Sequence, residues 1–145
     1  MKKSKTYIGR EDVAHVVRKL KCFESELSSL FDSHSLDLRV NTGRRNMLMS
    51  QAQEAFFSRA LSEKGLDCIH DGRTGEADIV IKDLGKELEC KLTSGSGSSW
   101  PLQCDYVTLA RKGSLDFLYM LCNKDFDQFA VLLFENLTIE DFFFP

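Results

Sequence analysis

The chain lacks the sequence features that define several common protein classes. Its 145 residues contain no run of about 18 apolar residues, so we predict no membrane span and no membrane partner. The basic start is followed by charged residues rather than by an apolar segment, which argues against a secretory signal peptide. We therefore expect a cytoplasmic protein.

Motifs for disulfides, zinc and nucleotides are also missing. The five cysteines are scattered, odd in number and free of C-x-x-C spacing, so we expect buried free thiols rather than a disulfide framework or a zinc site. The three histidines do not form H-E-x-x-H. The Gly/Ser loop at 94–99 has no G-K-[ST] ending, and we therefore expect no nucleotide cofactor.

Strong positive charge is absent, since the net charge is −3. Its distribution is uneven, with ten Lys and Arg against six Asp and Glu in residues 1–50, and nine against sixteen in residues 51–145. A basic first half suits contact with phosphates, and an acidic second half suits metal-binding carboxylates.

Hydrophobic residues make up 43% of the chain, enough for a core, and the length fits one domain. Helical periodicity predicts two helices at 10–31 and 46–64, with Gly65 as a left-handed cap. A short extended segment is predicted at 36–40. Strands are predicted at 66–70, 76–82, 87–93, 115–122 and 128–134, with a hairpin loop at 83–86 and a short helix at 102–112.

This order predicts an α/β (α+β) domain with a central mixed β-sheet flanked by helices. We assign residues 1–145 to a single domain, made of an N-terminal helical segment at 10–64 and a sheet core at 66–135.

Three charged residues on two of these strands form the strongest functional pattern. Alternation along a strand places Glu89 and Lys91 on one face, roughly 7 Å apart. The short hairpin makes the preceding strand antiparallel, and one register consistent with it sets Asp78 beside Glu89. Glu89-Cys90-Lys91 is the only E-x-K in the chain.

Two neighbouring carboxylates are costly unless a cation compensates them. At a separation of about 5 Å they repel by roughly 3 kcal/mol at an effective dielectric constant of about 20. Mg²⁺ prefers oxygen ligands and keeps several waters, so two carboxylates and a substrate phosphate suit it. Such an ion can activate water against a phosphodiester, and a lysine can stabilise the developing charge. The alternative is an exposed sheet face with a cross-strand ion pair.

The segments Glu76–Ile81 and Glu89–Lys91 resemble the PD-(D/E)XK nuclease superfamily, which includes type II restriction endonucleases and Holliday junction resolvases. The resemblance implies a restriction-endonuclease-like core, with Asp78 and Glu89 as Mg²⁺ ligands (Mn²⁺ as a substitute) and Lys91 as the catalytic lysine. Ala77 stands where the usual proline precedes the aspartate. Glu54, with Phe57, Leu61 and Gly65, fits a helical glutamate pattern of the superfamily, and a surface glutamate is an equal interpretation.

Further candidates are weaker. Arg44, Arg45, Arg111 and Lys112 are candidate contacts to DNA phosphates, with solvated turns as the alternative. Gln103 and Tyr106 resemble a Q-x-x-x-Y element, but the spacing is one residue short.

We expect a Mg²⁺-dependent endonuclease acting on DNA, closest to type II restriction enzymes and commonly a homodimer. A structure-selective junction or repair nuclease is the first alternative, and a non-catalytic DNA-binding module with the same fold is the second.

Overall fold

Two long helices open the part of the chain that the computed structural model describes, which comprises residues 6–71, 73, 75–95, 100 and 102–142. Helix α1 spans Arg10–Ser33 and α2 spans Thr42–Glu63. The N–H of Gly9 donates to the Asp12 carboxylate at 2.7 Å at the start of α1. The central part of the predicted loop at 94–99 falls on residues 96–99, outside the described residues.

Helix α2 begins four residues earlier than the predicted 46. The side-chain oxygen of Asn41 accepts the N–H of Arg44 at 3.0 Å, and this cap lets the helix start at Thr42. The predicted end is confirmed, because Gly65 has a φ of 91° directly after the helix.

The predicted extended segment at 36–40 is wrong. No strand forms there: residues 38–40 form a turn and a bend, and the Asp37 carboxylate accepts the N–H of Arg39 at 2.9 Å. A hydrogen bond between an aspartate side chain and a nearby backbone N–H competes with the backbone hydrogen bonds of a strand.

Five strands follow, with one helix between the third and the fourth. Their bounds are β1 Cys68–His70, β2 Ile79–Ile81, β3 Lys86–Ser94, α3 Tyr106–Lys112, β4 Leu115–Cys122 and β5 Phe129–Leu137. The strands form one open mixed sheet in the order β1-β2-β3-β4-β5. Among the strands of the described residues, only β3 and β4 pair in parallel, and α3 lies in the crossover between them. The predicted element order and the mixed α+β class are therefore confirmed.

Strand β2 is shorter than the predicted 76–82. The N–H of Cys90 donates to the Asp78 carboxylate at 2.8 Å. This N–H is therefore not available for a backbone hydrogen bond that would extend the pairing of β2 with β3. The predicted hairpin loop is a short 3₁₀ turn, Lys82–Leu84, closed by Gly85 at a φ of 59°.

Apolar side chains form a separate cluster on each face of the sheet. Helices α1 and α2 cover the larger one through residues such as Leu20 and Phe57. Helix α3 covers the smaller one, which consists of Ala77, Leu109, Leu115, Phe117 and Tyr119. Alternation along the predicted strand 76–82 would place Ala77 on the face of Ile79 and Ile81. Ala77 instead belongs to the opposite cluster, because strand alternation begins only at Ile79.

The five cysteines are free thiols, as expected, but only Cys90 and Cys122 are buried, whereas Cys22 is exposed. Among the described residues, no helix is long and apolar enough to cross a membrane.

Candidate active site

The antiparallel register of β2 and β3 brings the two predicted carboxylates together. Ile79 pairs with Leu88, so the residues one step further along, Asp78 and Glu89, lie side by side. Asp78 is half-buried just before β2, and its Oδ2 accepts the backbone N–H of Cys90. This bond ties the Asp78 side chain to β3 next to Glu89.

Glu89 is not on a solvated sheet face. Only 5% of Glu89 is exposed to solvent, although its side chain is ionisable. The Nζ of Lys91, two residues along β3, lies 3.5 Å from the Glu89 Oε2, as strand alternation predicted for same-face neighbours. The alternative interpretation of this strand as an exposed charged face does not fit the burial of Glu89.

Burial and like charge shift the pKa of both carboxyls upward. Desolvation raises the pKa of Asp78 to about 6, helped by the charge of Glu54 and opposed by the hydrogen bond from Cys90. Desolvation likewise raises the pKa of Glu89 to about 7, helped by the charge of Asp78 and opposed by Lys91. Each carboxylate therefore gains from a nearby cation beyond the one that Lys91 supplies.

Glu54 lies on α2 and contacts a histidine that the sequence did not indicate. Its Oε2 is 3.2 Å from the Nε2 of His70, the last residue of β1. No short spacing in the sequence connects residues 54 and 70, because the contact depends on how α2 packs against the sheet edge. Glu54 is close enough to Asp78 to raise its pKa.

An open groove of about 440 Å³ runs past these side chains. Asp78, Lys91 and Glu54 line it, and Gln103 joins them despite the shortened Q-x-x-x-Y spacing. The other lining residues come from the first half of α2 and from β3, and they are Thr42, Gly43, Asn46, Met47, Ser50, Cys90, Leu92, Thr93 and Ser94. The groove is thus largely polar and open to a large ligand.

Asp105 is an acidic residue near the site that the sequence did not indicate as a candidate. It caps α3, where its side chain accepts the N–H groups of Val107 and Thr108 at 3.0 and 3.3 Å. Its charge also helps to raise the pKa of Glu89. Asp105 lies inside the helix predicted at 102–112, but the helix begins only at Tyr106, and a capping role explains the aspartate without any role in a site.

The predicted DNA-contacting basic residues fall into different environments. Arg44 is exposed at the start of α2, where contact with a phosphate is sterically open. Arg45 is 0% exposed and donates to the carbonyl oxygens of Lys124 and Asn123, so its position does not support contact with DNA. Arg111 and Lys112 bind acidic side chains.

The donor set suits a hydrated Mg²⁺ better than a fully protein-bound metal. Within the described ranges, no group of three or more His, Cys, Asp or Glu side chains is placed to hold a metal ion. Mg²⁺ is commonly bound through one or two carboxylates and otherwise by water and phosphate oxygens. Asp78 and Glu89 are two adjacent carboxylates of this kind, and burial together with neighbouring negative charge raises the pKa of both.

Comparison with known proteins adds no family assignment. No family model matches the chain, and neither a curated protein nor a solved structure was found to match it. The resemblance to PD-(D/E)XK nucleases therefore rests on the sequence motifs alone.

Proposed function

We propose that this protein is a metal-dependent nuclease that hydrolyses phosphodiester bonds in DNA. The observation that carries the proposal is the pair of adjacent, desolvated carboxylates, Asp78 and Glu89. Lys91 lies 3.5 Å from Glu89, and Asp78 and Lys91 line an open polar groove. A buried pair of like charges is destabilising unless a cation compensates it. An oxygen-rich substrate next to such a pair is a natural partner for Mg²⁺.

Asp78 and Glu89 are the residues that would hold Mg²⁺, or Mn²⁺ in its place. The bound ion supplies positive charge to a phosphate oxygen and lowers the pKa of a coordinated water. The chain fixes the two carboxylates before the ion arrives, through the Cys90 N–H on Asp78 and through the burial of Glu89. This pre-organisation lowers the cost of ordering the ligands on binding.

Lys91 is suited to stabilise the negative charge that develops on the phosphate. Its side chain is 31% exposed and lines the groove, so the ammonium can reach substrate from its position beside Glu89. A fixed cation aimed at developing charge lowers the barrier more than it improves ground-state binding.

Glu54 lines the groove and contacts His70, which lies at the end of β1. Glu54 adds negative charge near Asp78, and His70 is within ion-pair distance of Glu54. We assign Glu54 a supporting role in cation binding, directly or through water, and His70 the role of orienting Glu54.

Type II restriction-like cleavage by a homodimer is the finer form of this proposal. Each subunit carries one carboxylate pair, so two copies are needed to cut both strands of a duplex at once. Sedimentation of the protein with and without a DNA duplex tests this stoichiometry.

Incubation of supercoiled plasmid with the protein and Mg²⁺ is the decisive experiment. We expect nicked and linear DNA with wild type, and none with Asp78→Asn or Lys91→Ala. Lys64→Ala is the matched control, because Lys64 contacts Asp12 and the Tyr7 carbonyl oxygen and does not line the groove. Discrete fragments support a restriction-like enzyme, whereas cleavage restricted to four-way junctions favours the structure-selective alternative. Activity that survives in Asp78→Asn, or no cleavage of either substrate, contradicts the proposal.

A further inference from the structure

Lys112, the last residue of α3, links the two chain segments that carry the carboxylate pair. Its Nζ lies 2.9 Å from Glu76 Oε2 and 2.9 Å from Glu87 Oε1. The lysine side chain is 18% exposed, less than either partner. One ammonium therefore holds two glutamates in a partly buried bridge.

The two glutamates occupy corresponding positions relative to the proposed metal ligands. Glu76 precedes Asp78 by two residues, and Glu87 precedes Glu89 by two residues. Glu87 lies within β3, which β2 and β4 hold on both sides. Glu76 lies in the segment before β2, where residues 75–78 form no strand. The bridge thus fastens the less constrained carboxylate segment to the more constrained one.

The end of α3 is closely fitted to this segment. Gly75 has a φ of 83°, and a Cβ added to it would lie 2.9 Å from the Arg111 Nη1. The Arg111 Nη2 also donates to Glu76 Oε1 at 3.1 Å. Residues 75 and 76 are therefore held by α3 from two directions.

Ion pairs of this exposure contribute little to global stability. Their effect on a neighbouring site is different, because partners that orient metal ligands are worth about 10- to 100-fold in metal affinity. A bridge that matters for the site should therefore show its effect locally, with a small change in overall stability.

We propose that Lys112 is a positioning residue that sets the distance between Asp78 and Glu89 by bridging Glu76 and Glu87. This inference rests on the proposed function for the metal, but the positioning of Asp78 can be measured without any metal. The Cys90 amide reports on it directly, since its N–H donates to the Asp78 carboxylate.

The experiment compares Lys112→Met with Lys112→Arg and with the control Lys64→Met. Amide hydrogen exchange is followed at Cys90 in metal-free protein, and Mn²⁺ affinity is measured by calorimetry. We expect Lys112→Met to speed exchange at Cys90 and to weaken Mn²⁺ binding by roughly tenfold. Arginine at the same position restores both values, because its guanidinium has several donors for two carboxylates. Lys64→Met leaves both unchanged.

Two further variants distinguish loss of the bridge from a general disturbance of folding caused by the Lys112 substitution. Glu76→Gln and Glu87→Gln each remove one arm of the bridge, and both should reproduce the faster exchange at Cys90. Wild-type exchange at Cys90 in Lys112→Met overturns the inference, as does faster exchange spread evenly over the sheet. Absence of Mn²⁺ binding in wild type contradicts the proposed function alone, since the exchange at Cys90 still decides the role of Lys112.

Discussion

Glu24 and Glu89 are both buried glutamates, yet the protein treats them differently. Glu24 is 2% exposed and receives two hydrogen bonds of 2.8 Å from the Arg39 guanidinium. Glu89 is 5% exposed and has one ammonium at 3.5 Å, with the Asp78 carboxylate beside it. A buried carboxylate that is fully paired with a cation stabilises the fold. A buried carboxylate without such a partner is a candidate for ligand binding.

The same substitution at both positions gives the largest expected difference, in catalysis. Glu89→Gln should lower the rate of plasmid cleavage by about 100- to 1000-fold, since it removes the charge that attracts Mg²⁺. Glu24→Gln should leave the rate of the folded protein unchanged. The measurement is nicking of supercoiled plasmid under single-turnover conditions. Equal losses in the two variants would mean that Glu89 is only structural.

For the free energy of unfolding we expect the reverse, with the larger loss in Glu24→Gln and not in Glu89→Gln. Glu24→Gln weakens two charge-assisted hydrogen bonds to the Arg39 guanidinium, which is itself partly solvated, and we expect a loss of about 2 kcal/mol in the free energy of unfolding. Glu89→Gln removes a repelled charge and should leave the metal-free protein as stable as wild type, or more stable. Urea unfolding at pH 8 with a chelator measures both. A Glu89→Gln variant less stable than Glu24→Gln would invert the comparison and contradict it.

The pH dependence of stability follows from the raised pKa values. The pKa of Glu89 rises from 4.5 to about 7 and that of Asp78 from 3.8 to about 6 on folding, so the folded state holds these protons longer than the unfolded chain. Their stabilising effect is complete below pH 4 and is lost as the pH rises through about 6 to 7. We expect metal-free wild type to lose on the order of 2 kcal/mol between pH 5 and 8.

Thermal unfolding of wild type and Glu89→Gln across this pH range provides the control. The variant should keep only the smaller part of the loss, which belongs to Asp78. Identical pH profiles for the two proteins would show that the Glu89 carboxyl does not titrate in this range.

Added Mg²⁺ should give the smallest effect. A ligand at ten times its dissociation constant stabilises a protein by about 1.4 kcal/mol, which corresponds to a rise of roughly 3–6 °C in melting temperature for this size. Wild type and Glu24→Gln should both show the rise, and Asp78→Asn should not. A rise of equal size in Asp78→Asn would place the ion elsewhere.

Local patterns in the sequence were sufficient for the elements and for the centre of the site. Strand alternation placed Glu89 and Lys91 on one face, and a short hairpin set Asp78 opposite Glu89, because both follow from the period of a strand. Strand alternation and hairpin register are set by residues close together in the chain, so they depend little on the rest of the fold.

Contacts between distant parts of the chain could not be predicted in the same way. The burial of Arg45, the pairing of Glu54 with His70 and the double contact of Lys112 all depend on how helices pack against the sheet. A charged residue in a turn also looks the same in sequence whether it is solvated or enclosed. For Arg45, the choice between the two was made by tertiary packing.

Arg45 also determines how much freedom the groove has. Its guanidinium bonds to the carbonyl oxygens that follow β4, and the neighbouring Asn46 Nδ2 donates to the Ser94 Oγ at 2.6 Å. The first turns of α2 and the end of β3 are thereby cross-linked before a substrate arrives. In entropic terms, a ligand entering here does not have to order this wall, and more of its contact energy is retained as affinity.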